Sequence, residues 1–154
     1  MLGVYAQEGV LALEQPVPFW DLDGLRYIRN HSPLPVMADE SCFTPHDASK
    51  LIKADAADII NIKLMKCGGI YRALQINTIA EAANVNCMLG CMLESRLSIA
   101  AGAALVAAQP NFVFADLDSF VEFGDSPLIH TGFTYETPFI HLSDKPGIGE
   151  EPDI

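Results

Sequence analysis

The sequence that decides the fold is DIINIKLMKCGGIYRALQINTIAEAANVNCMLGCM, residues 58–92. Its two ends, residues 59–62 and 87–92, are short runs of branched and large apolar side chains, which are typical of buried strands. Between them, residues 70–83 place apolar side chains at helical spacing. A strand, a helix and a second strand with short connections predict parallel strands linked by a right-handed crossover.

The same alternation extends on both sides of this segment. Further apolar runs predict strands at residues 10–13, 36–38 and 112–115. Helical patterns lie at residues 21–29, 45–53 and 95–108. Five buried strands separated by helices indicate an α/β fold with a parallel sheet.

The alternation stops after Asp118. The tail contains two strand-like pieces, residues 128–131 and 139–142, with turn residues around them, and this pattern predicts a hairpin. We therefore divide the chain into residues 1–118, which carry the strand and helix repeat, and residues 119–154, a C-terminal extension.

Charge and hydropathy exclude two classes of partner. The chain has 154 residues with 20 acidic and 9 basic side chains, which give a net charge of −11. Such a surface repels nucleic-acid phosphates and anionic lipid headgroups, so we expect no nucleic acid and no membrane as partner. The longest apolar stretch, residues 97–108, is shorter than the roughly 20 residues that a membrane-spanning helix needs. The four cysteines lie in apolar or strand-like runs and the first residues lack a secretion signal, so we expect a cytoplasmic protein.

Charged residues stand where the predicted strands end: Glu14, Asp39, Lys63, Glu94, and the pair Asp116 and Asp118. Ligands of parallel α/β folds bind beyond the carboxyl ends of the strands. An acidic residue at this place can instead be the N-cap of the next helix, and for Asp39 alone the two interpretations are balanced. Two converging carboxylates form a hard oxygen site suited to Mg²⁺. A lysine beside that metal has a lowered pKa and can act as a base.

Other residues have simpler interpretations. Lys66, three residues after Lys63, is interpreted as a surface or loop lysine, because one strand cannot place bases on both faces of a substrate. Phe19 and Trp20 are expected to pack against the next helix. Glu94 either lines the pocket or caps the following helix, and both interpretations stay open.

The motifs LEQPVP, ADES, DIINIKLMKCGGI, CMLGCMLES and DLD, at these intervals, resemble the muconate-lactonizing-enzyme subgroup of the enolase superfamily. Within the subgroup they are most similar to the dipeptide epimerases that interconvert L-Ala-D-Glu and L-Ala-L-Glu. The resemblance implies that residues 1–118 form the C-terminal part of a (β/α)7β barrel of the TIM type, about strands 4 to 8. It also implies that the C-terminal hairpin packs on a capping domain outside this sequence.

The resemblance implies a role for each charged residue as well. Glu14 and Asp39 match two of the family's three Mg²⁺ ligands, and Lys63 matches an acid/base lysine on the sixth barrel strand. Asp116 and Asp118 match the pair that holds the ammonium group of a dipeptide substrate. The implied enzyme is an isomerase that removes the proton next to a carboxylate through a metal-stabilised enediolate.

Two functional groups of the family have no counterpart in this sequence. The other acid/base lysine, in a Lys-x-Lys motif, and the third metal ligand belong to earlier barrel strands. We therefore expect the chain alone to be inactive and to associate with an N-terminal half or with itself.

Two alternatives to the dipeptide epimerase stay open. One is a sister enzyme, such as a muconate cycloisomerase or an o-succinylbenzoate synthase/N-acylamino acid racemase, and the other is a non-catalytic fragment. The paired carboxylates Asp116 and Asp118 favour a substrate with a cationic end over a substrate with a second carboxylate, so they favour the dipeptide.

Overall fold

The structure of the protein is a computed structural model that describes residues 2–123 and 132–149. Its parallel sheet consists of β1 Leu13–Glu14, β2 Val36–Ala38, β3 Ile59–Lys63, β4 Asn86–Gly90 and β5 Phe112–Ala115. The helices are α1 Leu2–Gln7, α2 Leu22–His31, α3 Pro45–Lys53, α4 Leu64–Cys67, α5 Ile70–Ala82, α6 Arg96–Ala108 and α7 Phe120–Phe123. An antiparallel hairpin is made of β6 Phe133–Glu136 and β7 Phe139–Leu142. Within the described ranges, no helix is both long enough and apolar enough to cross a membrane.

The predicted α/β class is confirmed, and the five strands lie side by side in chain order, β1-β2-β3-β4-β5. All four neighbouring pairs are parallel. Helix α3 has the predicted bounds, and Thr44 and Asp47 form the capping box that fixes its start. A sheet in which each strand pairs with the next one along the chain is the arrangement found in a segment of a (β/α) barrel.

The first strand is shorter than predicted, and the bounds 10–13 were wrong. Only Leu13 and Glu14 pair with β2. Val10 and Leu11 are 38% and 68% exposed, so their apolar side chains enter neither the ladder nor the core. β4 was also misplaced, because it ends at Gly90 instead of continuing to residue 92. An apolar run gives the existence of a strand more reliably than its ends.

The alternation of side chains along β3 gives the sheet two different faces. Ile60 and Ile62 enter the hydrophobic core beneath the helices. Ile59, Asn61 and Lys63 alternate with them and therefore point to the opposite side of the sheet. Ile59 and Asn61 are also buried, so β3 is covered on both faces along most of its length. Lys63 ends the strand and is the least buried of these five residues.

A single-turn helix that the sequence did not predict, α4, follows β3 directly. Gly68 and Gly69 have φ values of 90° and 105°, a region that favours glycine, and they separate α4 from α5. This tight connection brings Lys66 back over the carboxyl ends of β2 and β3, where its ammonium meets backbone carbonyl groups.

The predicted hairpin is present and packs against the start of α6. Arg96 of α6 lies over the rings of Phe120 and Phe133, at 4.9 and 4.3 Å from the ring centroids. Its first strand is β6, whereas the predicted piece 128–131 lies outside the described residues. The division at residue 118 and the packing of the hairpin on a capping domain stay predictions.

Candidate metal and proton-transfer site

Three of the predicted site residues meet at one edge of the sheet. Glu14 ends β1, Asp39 follows β2, and Lys63 ends β3. These strands are successive neighbours in the parallel sheet, so their carboxyl ends open on the same side. The three side chains line one open cleft of about 660 Å³, which is also lined by Val17, Pro18, Phe19 and Trp20.

Asp39 is held between two lysines. Its Oδ2 atom accepts a hydrogen bond of 2.8 Å from Lys63 Nζ, and its Oδ1 atom accepts one from Lys66 Nζ. The Asp39 side chain is 8% exposed. Burial opposes its ionisation, but hydrogen bonds from Lys63 and Lys66 together with their charges hold the pKa of Asp39 below its usual value. Asp39 is therefore a carboxylate at neutral pH.

Lys66 is not the surface or loop lysine that the sequence indicated. Its side chain is 4% exposed. Its ammonium donates to three acceptors, which are the Asp39 carboxylate, the Asp39 backbone carbonyl at 2.7 Å and the Asn61 backbone carbonyl at 3.0 Å. The prediction failed because it extended strand alternation past Lys63, where the chain turns into α4. An ammonium with three hydrogen-bond acceptors is fully satisfied in the interior.

The pKa of Lys63 differs from the expectation of a lowered value. Burial favours the neutral amine, but the hydrogen bond that Lys63 donates to Asp39 and the charges of Asp39, Glu14 and Glu40 raise the pKa of Lys63. The expectation assumed a divalent cation beside the lysine, whereas the neighbouring charges of the chain itself are carboxylates. Lys63 is therefore an ammonium while it is paired with Asp39.

Two residues that the sequence reasoning missed hold the carboxylates in place. Asn61 Nδ2 donates to Glu14 Oε1 at 2.7 Å, across the sheet from β3 to β1. Gln15 Oε1 accepts from the backbone N–H groups of Asp39 and Ser41, at 2.9 and 3.2 Å, which ties the end of β1 to the end of β2. The signal for Asn61 was present in the sequence as a polar residue inside the isoleucine run IINIK.

Asp116 and Asp118 line a different cleft. This second cleft, about 510 Å³, lies between α6, the end of β5 and the hairpin, with Tyr135 and Phe139 on its far wall. Burial and the charge of Asp118 raise the pKa of Asp116, while the charge of Lys63 lowers it. The Asp116 carboxylate is thus within electrostatic range of Lys63, although the two residues line separate clefts.

Glu94 contacts the start of α6 through a side chain and not through a backbone N–H group of the helix. It is 4% exposed, and its carboxylate accepts from the Met92 N–H at 2.9 Å and from the Ser98 hydroxyl. Ser98 lies in the first turn of α6, so Glu94 joins the end of β4 to the start of this helix. Glu94 does not line either of the two clefts described above.

Phe19 and Trp20 do not pack against the next helix as expected. Their rings meet edge to face at a centroid distance of 4.9 Å, and the residues are 55% and 71% exposed. The proline-containing loop after β1 keeps both rings at the mouth of the cleft that holds Lys63.

The donor set at the strand ends fits a magnesium ion. Mg²⁺ in enzymes commonly binds one or two protein carboxylates and completes its octahedron with water or substrate. Glu14 and Asp39 supply two such carboxylates in one cleft. Within the described residues, no group of three or more Asp, Glu, His or Cys side chains is placed to hold a metal by itself. The two carboxylates therefore suit a metal that takes its remaining ligands from elsewhere.

Loss of the Lys66 ammonium should destabilise the chain. In Lys66→Met the Asp39 Oδ1 atom stays buried without its ionic partner, and breaking such a pair costs about 3–5 kcal/mol. Because Lys63 still pairs with Oδ2, we expect the free energy of unfolding to fall by about 3 kcal/mol, measured by urea denaturation at pH 7. The exposed Lys53, changed to Met, is the matched control and should stay within about 0.5 kcal/mol of wild type.

The same comparison has a defined pH dependence. Because the folded pKa of Asp39 is lowered, its stabilising contribution is present above its unfolded pKa, about 3.9, and is lost as the pH falls through the folded value. The difference in the free energy of unfolding between wild type and Lys66→Met should therefore become smaller below about pH 4. A difference that stays constant from pH 7 to pH 3 would contradict the Asp39 pairing.

A parallel sheet with two carboxylates and a lysine at neighbouring carboxyl ends is an arrangement found in α/β-barrel enzymes that bind a divalent cation. The match is to one such family along the whole sequence, since the model of the family described as "Enolase C-terminal domain-like" matches residues 1–154. The chain belongs to this family.

Individual relatives give the same result. The chain is 45% identical over 138 residues to the hydrophobic dipeptide epimerase of Enterococcus faecalis, a match that covers 89% of this chain and 39% of that protein. It is 45% identical over 139 residues to the L-Ala-D/L-Glu epimerase of Clostridium acetobutylicum, with 90% and 38% covered. The chain thus spans about two fifths of the length of these curated relatives.

The fold matches solved structures equally well. The dipeptide epimerase from Enterococcus faecalis in complex with Mg and the dipeptide L-Leu-L-Tyr superposes with a TM-score of 0.91 at 43% identity. That match covers 97% of this chain and 42% of the other. The substrate-liganded L-Ala-D/L-Glu epimerase from Bacillus subtilis gives a TM-score of 0.89 at 39% identity, with 97% and 42% covered.

Proposed function

We propose that this chain is the part of a Mg²⁺-dependent dipeptide epimerase that carries two metal ligands and one acid/base lysine. We call this chain together with the N-terminal part of the barrel, which lies outside this sequence, the complete barrel. The observation that carries the proposal is the Asp39–Lys63 pair beside Glu14 in one cleft. The epimerases of Enterococcus faecalis and Clostridium acetobutylicum support the reaction type.

Glu14 and Asp39 are proposed to hold the cation. When bound, the cation supplies positive charge that stabilises the negative charge developing on a substrate carboxylate as the adjacent proton leaves. In the structure Asp39 Oδ2 accepts the hydrogen bond of Lys63, so these two groups would separate if Asp39 held the cation. Lys66 stays on Oδ1 and keeps the carboxylate in position.

Lys63 is proposed to move the proton at the carbon next to that carboxylate. Separated from Asp39, Lys63 Nζ would lose the partner that raises its pKa, and a divalent cation held nearby would favour the neutral amine. A neutral amine can accept the proton from one face of the carbon. Epimerisation returns a proton to the other face, so a second base has to come from the rest of the complete barrel.

Asp116 and Asp118 are proposed to bind the ammonium group of the dipeptide. They lie directly after β5, separated by one buried residue, Leu117, and both line the same cleft. Two neighbouring carboxylates favour a cationic group. A dipeptide has a cationic group at its amino end, whereas an N-succinyl amino acid has a carboxylate there; a relative in Bacillus cereus, 39% identical over 140 residues, is named N-succinyl-L-Arg/Lys racemase.

Two further proposals concern the setting of the enzyme. We propose that the partner of this chain is an N-terminal half of the barrel or a second copy, because β1 and β5 each pair on one side only within the described sheet. We also propose a cytoplasmic location, which the buried thiols of Cys42, Cys67 and Cys87 support.

Proton exchange tests the function directly. The complete barrel is incubated in D₂O with Mg²⁺ and L-Ala-L-Glu, and the ¹H NMR signal of the Glu α-proton is followed. We expect this signal to disappear while the L-Ala-D-Glu isomer accumulates, and we expect chelation of Mg²⁺ by EDTA to stop both changes. Exchange of an N-succinyl amino acid without exchange of any free dipeptide would replace this proposal by the sister-enzyme alternative.

A further inference from the structure

Asn61 occupies an unusual place for a polar residue. It lies in the middle of β3, between Ile60 and Ile62, and is 1% exposed. An apolar side chain could be buried at this position without needing a hydrogen-bond partner. A buried amide on the face that carries Lys63 therefore calls for a specific use.

One half of the Asn61 amide has a clear partner. Its Nδ2 atom donates to Glu14 Oε1 at 2.7 Å, and the two residues are 47 positions apart in the chain. The charge on Glu14 also fixes the orientation of the amide, because the opposite orientation would set two oxygen acceptors against each other. The contact occupies one carboxylate oxygen of Glu14 and leaves the other for a cation.

The other half of the amide has no such partner. Within the described residues, Asn61 Oδ1 is buried and makes no hydrogen bond. An unpaired buried acceptor lowers stability, so the fold itself gives no reason to retain it. The hydrogen bond to Glu14 is the favourable interaction that accounts for an amide at this position.

The neighbouring strand leaves room for this side chain. A Cβ atom added at Gly90 of β4 would lie 2.6 Å from Asn61 Oδ1, 3.0 Å from Asn61 Nδ2 and 3.0 Å from Lys63 Cε. Each of these distances is at or below the closest approach of real side chains. Gly90 thus provides the gap in which both the Asn61 amide and the stem of Lys63 lie.

We infer that Asn61 is a positioning residue for the metal site. Its amide lies in the gap at Gly90 and orients Glu14, the proposed metal ligand. This inference rests on the proposed function, since it assigns Glu14 to a divalent cation. Partners that orient a metal ligand typically change metal affinity about 10–100-fold when they are removed. Asn61 acts through Glu14 and does not itself need to touch the cation.

The test is the metal affinity of the complete barrel, measured for Mn²⁺ by EPR and for Mg²⁺ by calorimetry, well below the melting temperature. We expect Asn61→Ala to weaken binding about 10–100-fold relative to wild type. Asn77→Ala is the matched control, because Asn77 is equally buried but bonds Gln109 and Asn111. The metal affinity of Asn77→Ala should stay within about twofold of wild type, because this change removes no partner of a metal ligand.

Asn61→Asp is the second variant, because it keeps the shape of the side chain if Asn61→Ala does not fold. A carboxylate beside Glu14 should tighten Mn²⁺ binding, because a cation relieves the repulsion between the two. Affinities equal to wild type in the folded Asn61 variants would overturn this inference and leave the proposed function standing. An unchanged complete barrel that binds neither Mn²⁺ nor Mg²⁺ would overturn the Glu14 and Asp39 metal site itself, and the inference with it.

Discussion

Replacement of Lys63 by Met in the complete barrel should lower kcat for dipeptide epimerisation by about 10²–10⁴-fold, the range that a general base contributes. The effect should fall on kcat more than on KM, because Lys63 acts on the proton in transit and the substrate is held by other groups. The measurement is the rate of epimer formation from L-Ala-L-Glu, followed by ¹H NMR in D₂O.

The same variant makes a prediction about one face of the substrate. A second base that remains on the opposite face can still remove the proton from one of the two epimers. In Lys63→Met, α-proton exchange with solvent should therefore persist for one epimer and be lost for the other. Lys53→Met, on the exposed end of α3, is the control for the loss of one positive charge. Equal residual exchange of both epimers would mean that Lys63 is not one of the two bases.

The positions of Glu14, Asp39 and Lys63 could be predicted because two simple rules act together. Short apolar runs show where the strands lie, and the first charged residue after each run shows where the strand ends. In a parallel sheet these ends fall on one edge, so residues 24 or more positions apart meet without any further information. The structure brings all three to one cleft.

Lys66 could not be placed by the same rules. Its position depends on α4, a four-residue helix with no capping side chain, and on the positive φ values of Gly68 and Gly69. Sequence periodicity needs about two turns to indicate a helix, so a single turn after a strand gives no pattern. The reversal that brings Lys66 onto Asp39 is a property of this turn.

Asn61 was missed for a different reason. Its partner Glu14 is 47 residues away on a strand that it does not pair with directly, because β2 lies between β1 and β3. The contact exists because both side chains extend over the same face of the sheet. A polar residue in an apolar run signals that a partner exists, but the identity of the partner needs the three-dimensional arrangement.

The second large effect is expected from the aspartate pair, and it separates the dipeptide from the alternative substrates. In the complete barrel, Asp116→Asn with Asp118→Asn removes both carboxylates proposed to bind the substrate ammonium. The loss of partners for a desolvated charge costs about 2–5 kcal/mol, which corresponds to roughly 30-fold to several thousand-fold in kcat/KM. Both aspartates are exposed in the described structure, so we expect a value near the lower end of this range.

The control for this prediction is a change in the substrate. N-acetyl-L-Ala-L-Glu has no ammonium group, so it should be a poor substrate of the unchanged enzyme and should lose little more in the double variant. The four values of kcat/KM form a cycle in which the coupling between the ammonium and the aspartates is measured directly. A strong coupling is expected if the two aspartates bind the substrate ammonium. Equal losses for the free and the acetylated dipeptide would show that the pair has a structural role, and a substrate without a cationic end would then be favoured.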